Sequence, residues 1–493
     1  MKYEAVIGLE VHAQLLTESK MFCSCAAEYV QGEPNTRTCP VCLGMPGTLP
    51  VINERAVEFV IMTGLALNCS IAHETKFDRK NYCYPDLMKG YQISQYDQPI
   101  ASKGTLAVVT DDGERIIRIN RVHLEEDVAK LQHNSSSSGS SSSSLVDINR
   151  SGLPLMEIVG EPDIRSAEEA RQYLIKLRAI LRYLKVSTGN MDEGSMRCDA
   201  NVSIRPKGSD ELFTKVEVKN MNSFRAVFGA IEYEIQRQVE CNEGNIPVVQ
   251  ETRGWIESSG TTVSQRSKEY AHDYRYFPEP DLPLLFIEEA WREEIRSALP
   301  ELPEAKKIRF MTDYHLSEYD ADLLTSSPSS ADFFEDVLQC DDTIGTKDRA
   351  KLASNWILGD VSRILNARHQ DISEASLKPS HLSELIVLVH KGSINGTTAK
   401  TILEEVFDLG TSPQDIMESK GLAQIATFEA INPLVNAVLE ENPAAVKDYR
   451  NGKAGALRFL VGQVMKKSKG KANPTMANDA LIAKLGTNET EPA

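Results

Sequence analysis

The sequence predicts an α+β protein, with a mainly antiparallel-sheet N-terminal domain, an all-helical middle domain and a small helical tail. Up to about residue 290, short runs with period-two alternation or β-branched enrichment are broken by turns and only a few helical stretches. From Glu289 onward the apolar residues recur with the 3.6-residue period of helices. The 493 residues are too many for one hydrophobic core, so two or three domains are expected.

Taken in chain order, VIGLEVHAQL opens as a strand, and Val57 to Asn68 reads as a core helix with Asn53 as its N-cap. Strands follow at 116–124 (IIRINRVHL), 198–205 (CDANVSIR) and 215–221 (KVEVKNM). Between them, Arg165 to Leu184 is helical, with Ser166 and Glu169 at capping-box spacing, and Phe224 to Gln238 forms a second helix. NSSSSGSSSSS, from Asn134 to Ser144, has nothing to bury and reads as a mobile loop, a flap or hairpin tip rather than a domain boundary. Helices are expected at Glu289 to Ala298, Lys347 to Arg368, Leu382 to Lys391 and Thr398 to Phe407. Pro-containing breaks fall at Leu299 to Pro303 and Ser327 to Ser330, and Pro433 to Leu485 is helical with a basic middle. The expected domains are 1–290, 291–405 and 406–485.

Apolar content of 41% and charged content of 25% are ordinary for a soluble globular chain. No apolar run approaches the roughly 20 residues of a membrane helix, and the start, MKYEAVIGLE, lacks the pattern of a signal peptide. A cytoplasmic location with no membrane partner is expected, and there the nine cysteines argue against a disulfide framework. A net charge of −17 argues against a generic nucleic-acid binder, yet Lys453, Arg458, Lys466, Lys467, Lys469 and Lys471 concentrate basic charge in the tail. Such a run is often only a solvated helix face; against this acidic background it points to RNA-backbone contact.

Strand side chains at i and i+2 share a face. Glu10, His12 and Gln14 therefore oppose Ile7, Leu9, Val11 and Ala13, while Arg121, His123, Glu125 and Asp127 oppose Val122 and Leu124. Arg197, Asp199, Asn201, Ser203 and Arg205 line up, as do Lys215, Glu217 and Lys219. A solvated sheet face is polar in any protein. Four strands that repeat carboxylates, His, Arg and Asn suggest more: a site where Mg²⁺ would bridge carboxylates and phosphates, with cations neutralising phosphate oxygens. There is no GxxxxGK[ST] loop, no GxGxxG after a strand and no GxSxG elbow, so ATP would have to bind an unfamiliar sheet, and glutamine hydrolysis by this chain is not expected. Cys23, Cys25, Cys39 and Cys42, as CxC and CxxC, have the spacing of a zinc knuckle. Four sulfurs leave no open position, which points to structural Zn²⁺.

Longer segments then carry a resemblance. GLEVHAQL (8–15), FDRKNYCYPDLMKGYQISQYDQPI (77–100), HLEEDVAK (123–130), DINRSGLPLMEIVGEPD (147–163), GSMRCDANVSIRP (194–206), VEVKNMNSF (216–224), DYRYFPEPDLPLL (273–285) and FLVGQVMKKSKGKANP (459–474) together resemble the B subunits of the GatCAB aspartyl/glutamyl-tRNA amidotransferases, the GatB/GatE family. The resemblance implies an N-terminal "cradle" domain, a helical domain and a YqeY-like, tRNA-binding tail. It also implies a ligase reaction: ATP phosphorylates the side-chain carboxylate of misacylated Glu-tRNA(Gln) or Asp-tRNA(Asn). Ammonia channelled from the glutaminase subunit of the same amidotransferase then displaces the phosphate, and a small third subunit completes a heterotrimer. Carried over residue by residue, Glu10, His12, Glu125, Asp199 and Glu217 are the expected catalytic residues and holders of Mg²⁺ (or Mn²⁺), with Glu126 in reserve. Arg79, Lys80, Lys89 and Arg205 are expected at ATP phosphate or the aminoacyl end. Two alternatives stand beside this reading: a catalytically silent tRNA-binding scaffold, and an archaeal-type protein, for whose extra domain the chain has no room.

Overall fold

The computed structural model describes every residue except 1, 29, 31, 112, 135–142, 268–273, 423–427, 469–470 and 487–493. It divides into two compact units, Met1–Pro303 and Glu304–Ala493. Lys469 and most of the serine tract lie outside the described residues.

In the first unit the order is β1 (Tyr3–Gln14), α1 (Glu54–Ala66), β2 (Ser70–Ile71), β3 (Glu74–Thr75), β4 (Asp78–Asn81), β5 (Tyr91–Ser94), β6 (Ala101–Thr110), β7 (Gly113–Glu126), β8 (Lys130–Asn134) and β9 (Ser143–Asp147). It continues with β10 (Pro154–Gly160), α2 (Ala167–Tyr183), β11 (Met196–Pro206), β12 (Val216–Lys219), α3 (Phe224–Glu243), β13 (Glu251–Ile256), β14 (Thr261–Ser267), β15 (Phe277–Pro278), β16 (Leu285–Phe286) and α4 (Glu289–Ser297). Nine strands form one sheet in the order β14-β13-β12-β11-β1-β10-β7-β6-β2. Among its described pairings only β12–β13 is parallel. A small sheet β15-β4-β5 stands apart from it, and β8 pairs with β9 as the flanks of the serine-rich hairpin.

The helices form where the capping residues lie. Asn53 accepts from the Ala56 amide at 3.2 Å. Ser166 accepts from Glu169 N at 3.1 Å, while the Glu169 carboxylate reaches back to the Arg165 amide at 2.7 Å, one residue before the position a capping box would use. α3 runs beyond the expected Gln238 to Glu243. The apolar strand face, including Ile7, Leu9, Val11, Cys198, Ala200 and Val202, packs with Leu174, Leu177 and Leu181 of α2 and Val227 and Ile231 of α3 in one core. That core also takes in Ile295 of α4. The opposite sheet face is left for polar groups.

Glu234 of α3 is fully buried. It is held by Arg237 at 2.6 and 3.0 Å, Gln238 at 2.9 Å, Thr262 at 3.1 Å and Arg253 at 3.7 Å. Removing one partner of a buried ion pair leaves the other charge uncompensated, so Glu234→Ala is expected to destabilise the unit by about 3–5 kcal/mol in denaturant titration.

The second unit is helical: α5 (Pro303–Asp313), α6 (Glu318–Thr325), α7 (Pro328–Gln339), α8 (Thr346–Trp356), α9 (Ser362–Arg368), α10 (Pro379–His390), α11 (Gly396–Leu409), α12 (Pro413–Ser419), α13 (Phe428–Glu441), α14 (Pro443–Arg450), α15 (Ala454–Lys467) and α16 (Pro474–Leu485). The stretch expected as one helix from Lys347 to Arg368 contains a π-helical turn at Ile357–Val361 between α8 and α9. Ile431, Val435, Val438, Leu460, Val464 and Leu481 form a separate core within α13–α16. Among the described residues no helix is long and apolar enough to cross a membrane.

Candidate active site

Antiparallel pairing places directly opposed residues on one face, so register decides which polar side chains meet. Glu10 of β1 lies opposite Asp199 of β11, and His12 lies opposite Glu157 of β10. Glu157 in turn lies opposite His123 of β7. Glu217 of β12 faces Asn201 on one side and Thr252 on the other. These rows line a cavity of about 680 Å³ whose floor includes Glu10, His12, His123, Glu157, Asp199, Glu217 and Lys219. Lys80, Tyr96, Tyr274 and Tyr276 belong to its wall.

Glu157 is the hub. His123 Nε2 lies 3.3 Å from its carboxylate, His12 Nε2 3.5 Å and an Arg121 Nη2 3.7 Å. Two groups of potential ligand atoms, each within 4.8 Å of one another, share it: Glu10, His12 and Glu157, and His123, Glu125 and Glu157. Burial alone would raise the Glu157 pKa, but the imidazoles of His123 and His12 hold it well below the usual carboxylate value. Burial and the charge of Glu157 push Glu10 up to about 7. Burial acts to lower His12, yet its bond to Glu157 and the surrounding carboxylates bring it up to about 9. The carboxylate oxygens of these groups are donors that suit Mg²⁺ or Mn²⁺, with the imidazoles held beside them.

Of the residues expected from sequence, Glu10 and His12 fall in one of these groups and Glu125 in the other. Glu125 is buried, accepts from Ser94 Oγ at 3.1 Å and lies 3.9 Å from Lys80 Nζ. Asp199 and Glu217 join the same cavity but are bridged by Lys219, at 2.6 and 3.7 Å, and Thr252 Oγ1 donates to Glu217 at 2.9 Å. Glu126 points elsewhere, pairing with Lys89 and accepting the Ile93 amide at 3.0 Å.

The four expected phosphate or aminoacyl contacts separate. Lys80 lines the cavity. Arg79 binds Glu279 through two 2.7 Å hydrogen bonds and lies over the Tyr91 ring, which fastens the segment after Tyr276 to β4. Lys89 is engaged with Glu126, and Arg205 with Glu4 at 2.6 Å. Sequence reasoning does not single out Glu157. In PLMEIVG it is one carboxylate within a buried apolar run, and only strand register aims it between two histidines.

The cysteine cluster closes as its spacing predicts. Cys23, Cys25, Cys39 and Cys42 bring their sulfurs within 4.8 Å of one another, the donor set of a closed tetrahedral zinc site. A hydrogen bond from Cys23, helped by the Cys39 amide and the Lys20 ammonium, lowers Cys42 to about 5 against the effect of burial, while burial raises Cys25 to about 11. The loop between the pairs is tied to the 146–149 segment: Asn149 Nδ2 donates to Glu33 O at 2.7 Å, and the Arg37 amide donates to Asn149 Oδ1 at 2.8 Å. Gly152, at φ +82°, completes the tie by donating its amide to Asp127 O at 2.9 Å and accepting from Met21 N at 2.7 Å.

In the tail, Arg458, Lys466 and Lys467 are exposed on α15, where Lys467 pairs with Glu441. Lys453 pairs with Asp448 at 2.9 Å, and Lys471 donates to Gly421 O at 2.6 Å.

Comparison with known proteins gives the same picture over nearly the full length. Residues 5–293 match a family model described as the GatB/GatE catalytic domain, and residues 332–485 match one described as the GatB domain. The B subunit of the aspartyl/glutamyl-tRNA(Asn/Gln) amidotransferase of Dehalococcoides mccartyi (strain CBDB1) is 58% identical over 484 residues, covering 97% of this chain and 98% of that protein. Proteins of the same name from Caldanaerobacter subterraneus subsp. tengcongensis and Moorella thermoacetica are 54% and 55% identical, each over 98% of this chain and 100% of their own length. With both halves matched and relatives of this identity aligned end to end, the chain belongs to the GatB/GatE family.

Proposed function

We propose that this chain is the carboxylate-activating, tRNA-handling component of a multi-subunit aspartyl/glutamyl-tRNA amidotransferase, an ATP-dependent ligase that works in the cytoplasm. Its substrates are Glu-tRNA(Gln), Asp-tRNA(Asn) or both. The side-chain carboxylate oxygen attacks the γ-phosphorus of ATP and ADP departs. Ammonia then attacks the acyl carbon, phosphate leaves, and one proton is given up as the amide forms. The ammonia comes from a separate glutaminase subunit, with a small third subunit completing the heterotrimer. The relatives' names support a B subunit working with others.

The observation that carries this reading is the shared Glu157, which gathers two carboxylate–imidazole groups at one cavity with Lys80 and Lys219 beside them. Glu10, His12, Glu125 and Glu157 would hold the divalent ion, with Asp199 and Glu217 at the edge of its field. Such an ion would supply positive charge to the transfer of the phosphoryl group. Lys80 and Lys219 add fixed positive charge on either side, and the strand framework orients the reacting carboxylate toward the phosphate. Arg79, Lys89 and Arg205 act through their ion pairs with Glu279, Glu126 and Glu4. The four cysteines hold structural Zn²⁺. We assign 1–290 to the catalytic domain, 291–405 to a helical domain and 406–485 to the tRNA-binding tail, where Lys453, Arg458, Lys466, Lys467, Lys469 and Lys471 meet the RNA backbone.

The test is Glu125→Gln in the reconstituted complex, assayed for ATP-dependent phosphorylation of Glu-tRNA(Gln) and, in parallel, for tRNA binding. Phosphorylation is expected to fall at least about 100-fold with tRNA binding intact. Unchanged phosphorylation would refute the assignment.

A further inference from the structure

One wall of the cavity is made of tyrosines that the proposed chemistry does not use. Tyr96 and Tyr276 stack in parallel, with ring centroids 4.3 Å apart and 13° between their planes. Tyr274 meets Tyr276 edge-on at 6.1 Å, and Tyr82 meets Tyr274 at 5.7 Å. Tyr96, Tyr274 and Tyr276 all line the cavity, and Tyr96 remains 45% exposed despite its stacking partner.

This arrangement is held from several sides. Arg275, between Tyr274 and Tyr276, has a left-handed backbone with φ 44°, and its carbonyl accepts from Asn81 Nδ2 at 3.0 Å. A non-glycine residue is kept in that conformation only where its surroundings fix it. The Tyr96 amide donates to the buried Asp78 at 3.1 Å. The wall also adjoins the carboxylate floor: Lys80 Nζ lies over the Tyr274 ring at 5.3 Å and 3.9 Å from Glu125. Ser94, two residues before Tyr96, donates to Glu125. A flat, rigid aromatic surface, partly uncovered and next to cations and carboxylates, suits a planar base whose phosphate or ester end reaches the floor.

We propose that Tyr96, Tyr274 and Tyr276 form a stacking platform for an adenine ring. The proposal rests on the function given above, in which adenine arrives from two sources, ATP and the 3′-terminal adenosine of the tRNA. Aromatic stacking on a base tolerates loss of the hydroxyl but not of the ring.

The assembled complex carrying Tyr96→Ala or Tyr276→Ala, and separately Tyr96→Phe or Tyr276→Phe, tests it through the KM for ATP and the KM for Glu-tRNA(Gln). A rise of about 10-fold in one of the two KM values is expected for the alanine variants, with kcat nearly unchanged and the phenylalanine variants close to the parent. Which KM rises identifies the source of the adenine. Titration with adenosine alone, which needs no turnover, should show the same order of affinities. Adenosine binding lost only in the alanine variants supports the platform even if the complex amidates nothing, an outcome that would sink the functional reading instead. If the parent complex amidates and both KM values and adenosine affinity are unmoved in the alanine variants, the platform is wrong. It is equally wrong if phenylalanine is as damaging as alanine.

Discussion

Glu157→Gln is expected to reduce ATP-dependent amidation by about 10²–10³-fold, more than loss of either flanking carboxylate. Glu157 belongs to both ligand groups and is the negative charge that His12 and His123 share. An amide has nearly the same shape, so the core behind β10 stays packed. It removes that charge, however, and turns a donor NH₂ toward imidazoles that need an acceptor. Divalent-ion affinity should fall by about 10–100-fold or more, since outer partners of ligands alone have effects of that size. The variant should be assayed over a range of Mg²⁺ and Mn²⁺ concentrations, with thermal melting to establish that it folds. A parental rate at low metal concentration would remove Glu157 from the mechanism.

The second large effect concerns the cysteine knuckle. Cys42→Ser is expected to lower zinc affinity at least about 100-fold, read by metal analysis after dialysis against a chelator. Cys42 is the buried member of the four, and each cysteine binds zinc as a thiolate, so its loss removes charge as well as a ligand. Amide exchange should quicken across 23–52 and at the amides of Met21 and Gly152, which donate to Gly152 O and Asp127 O. Full zinc retention by the serine variant would mean that the four sulfurs are not the ligands.

The fold was readable where local signals are strong. Asn53, Ser166 and the 3.6-residue periodicity beyond Glu289 mark helices that form within a few residues of their expected positions. The alternation in β1 and β11 states which side chains share a face, and Cys23 to Cys42 announce their closure by spacing alone. What depends on pairing between strands could not be read. Glu157 is invisible as a ligand until β10 is set between β1 and β7, and Arg79 looks like a free phosphate contact until Glu279, 200 residues later, is brought onto it. The separation of Asp199 and Glu217 from the two ligand groups has the same origin, because Lys219 reaches them from their own edge of the site.

Since β10 is flanked on both sides by strands that supply the imidazoles, frame matters more there than composition. Deleting one residue between Pro154 and Glu157 would swap inside for outside along the strand, pointing Glu157 into the apolar core that Met156 and Ile158 now enter and offering an apolar neighbour to both histidines. β8 and β9 pair with each other outside the nine-stranded sheet, so the alignment that aims Glu157 is set by β1 and β7 and not by the strands just upstream.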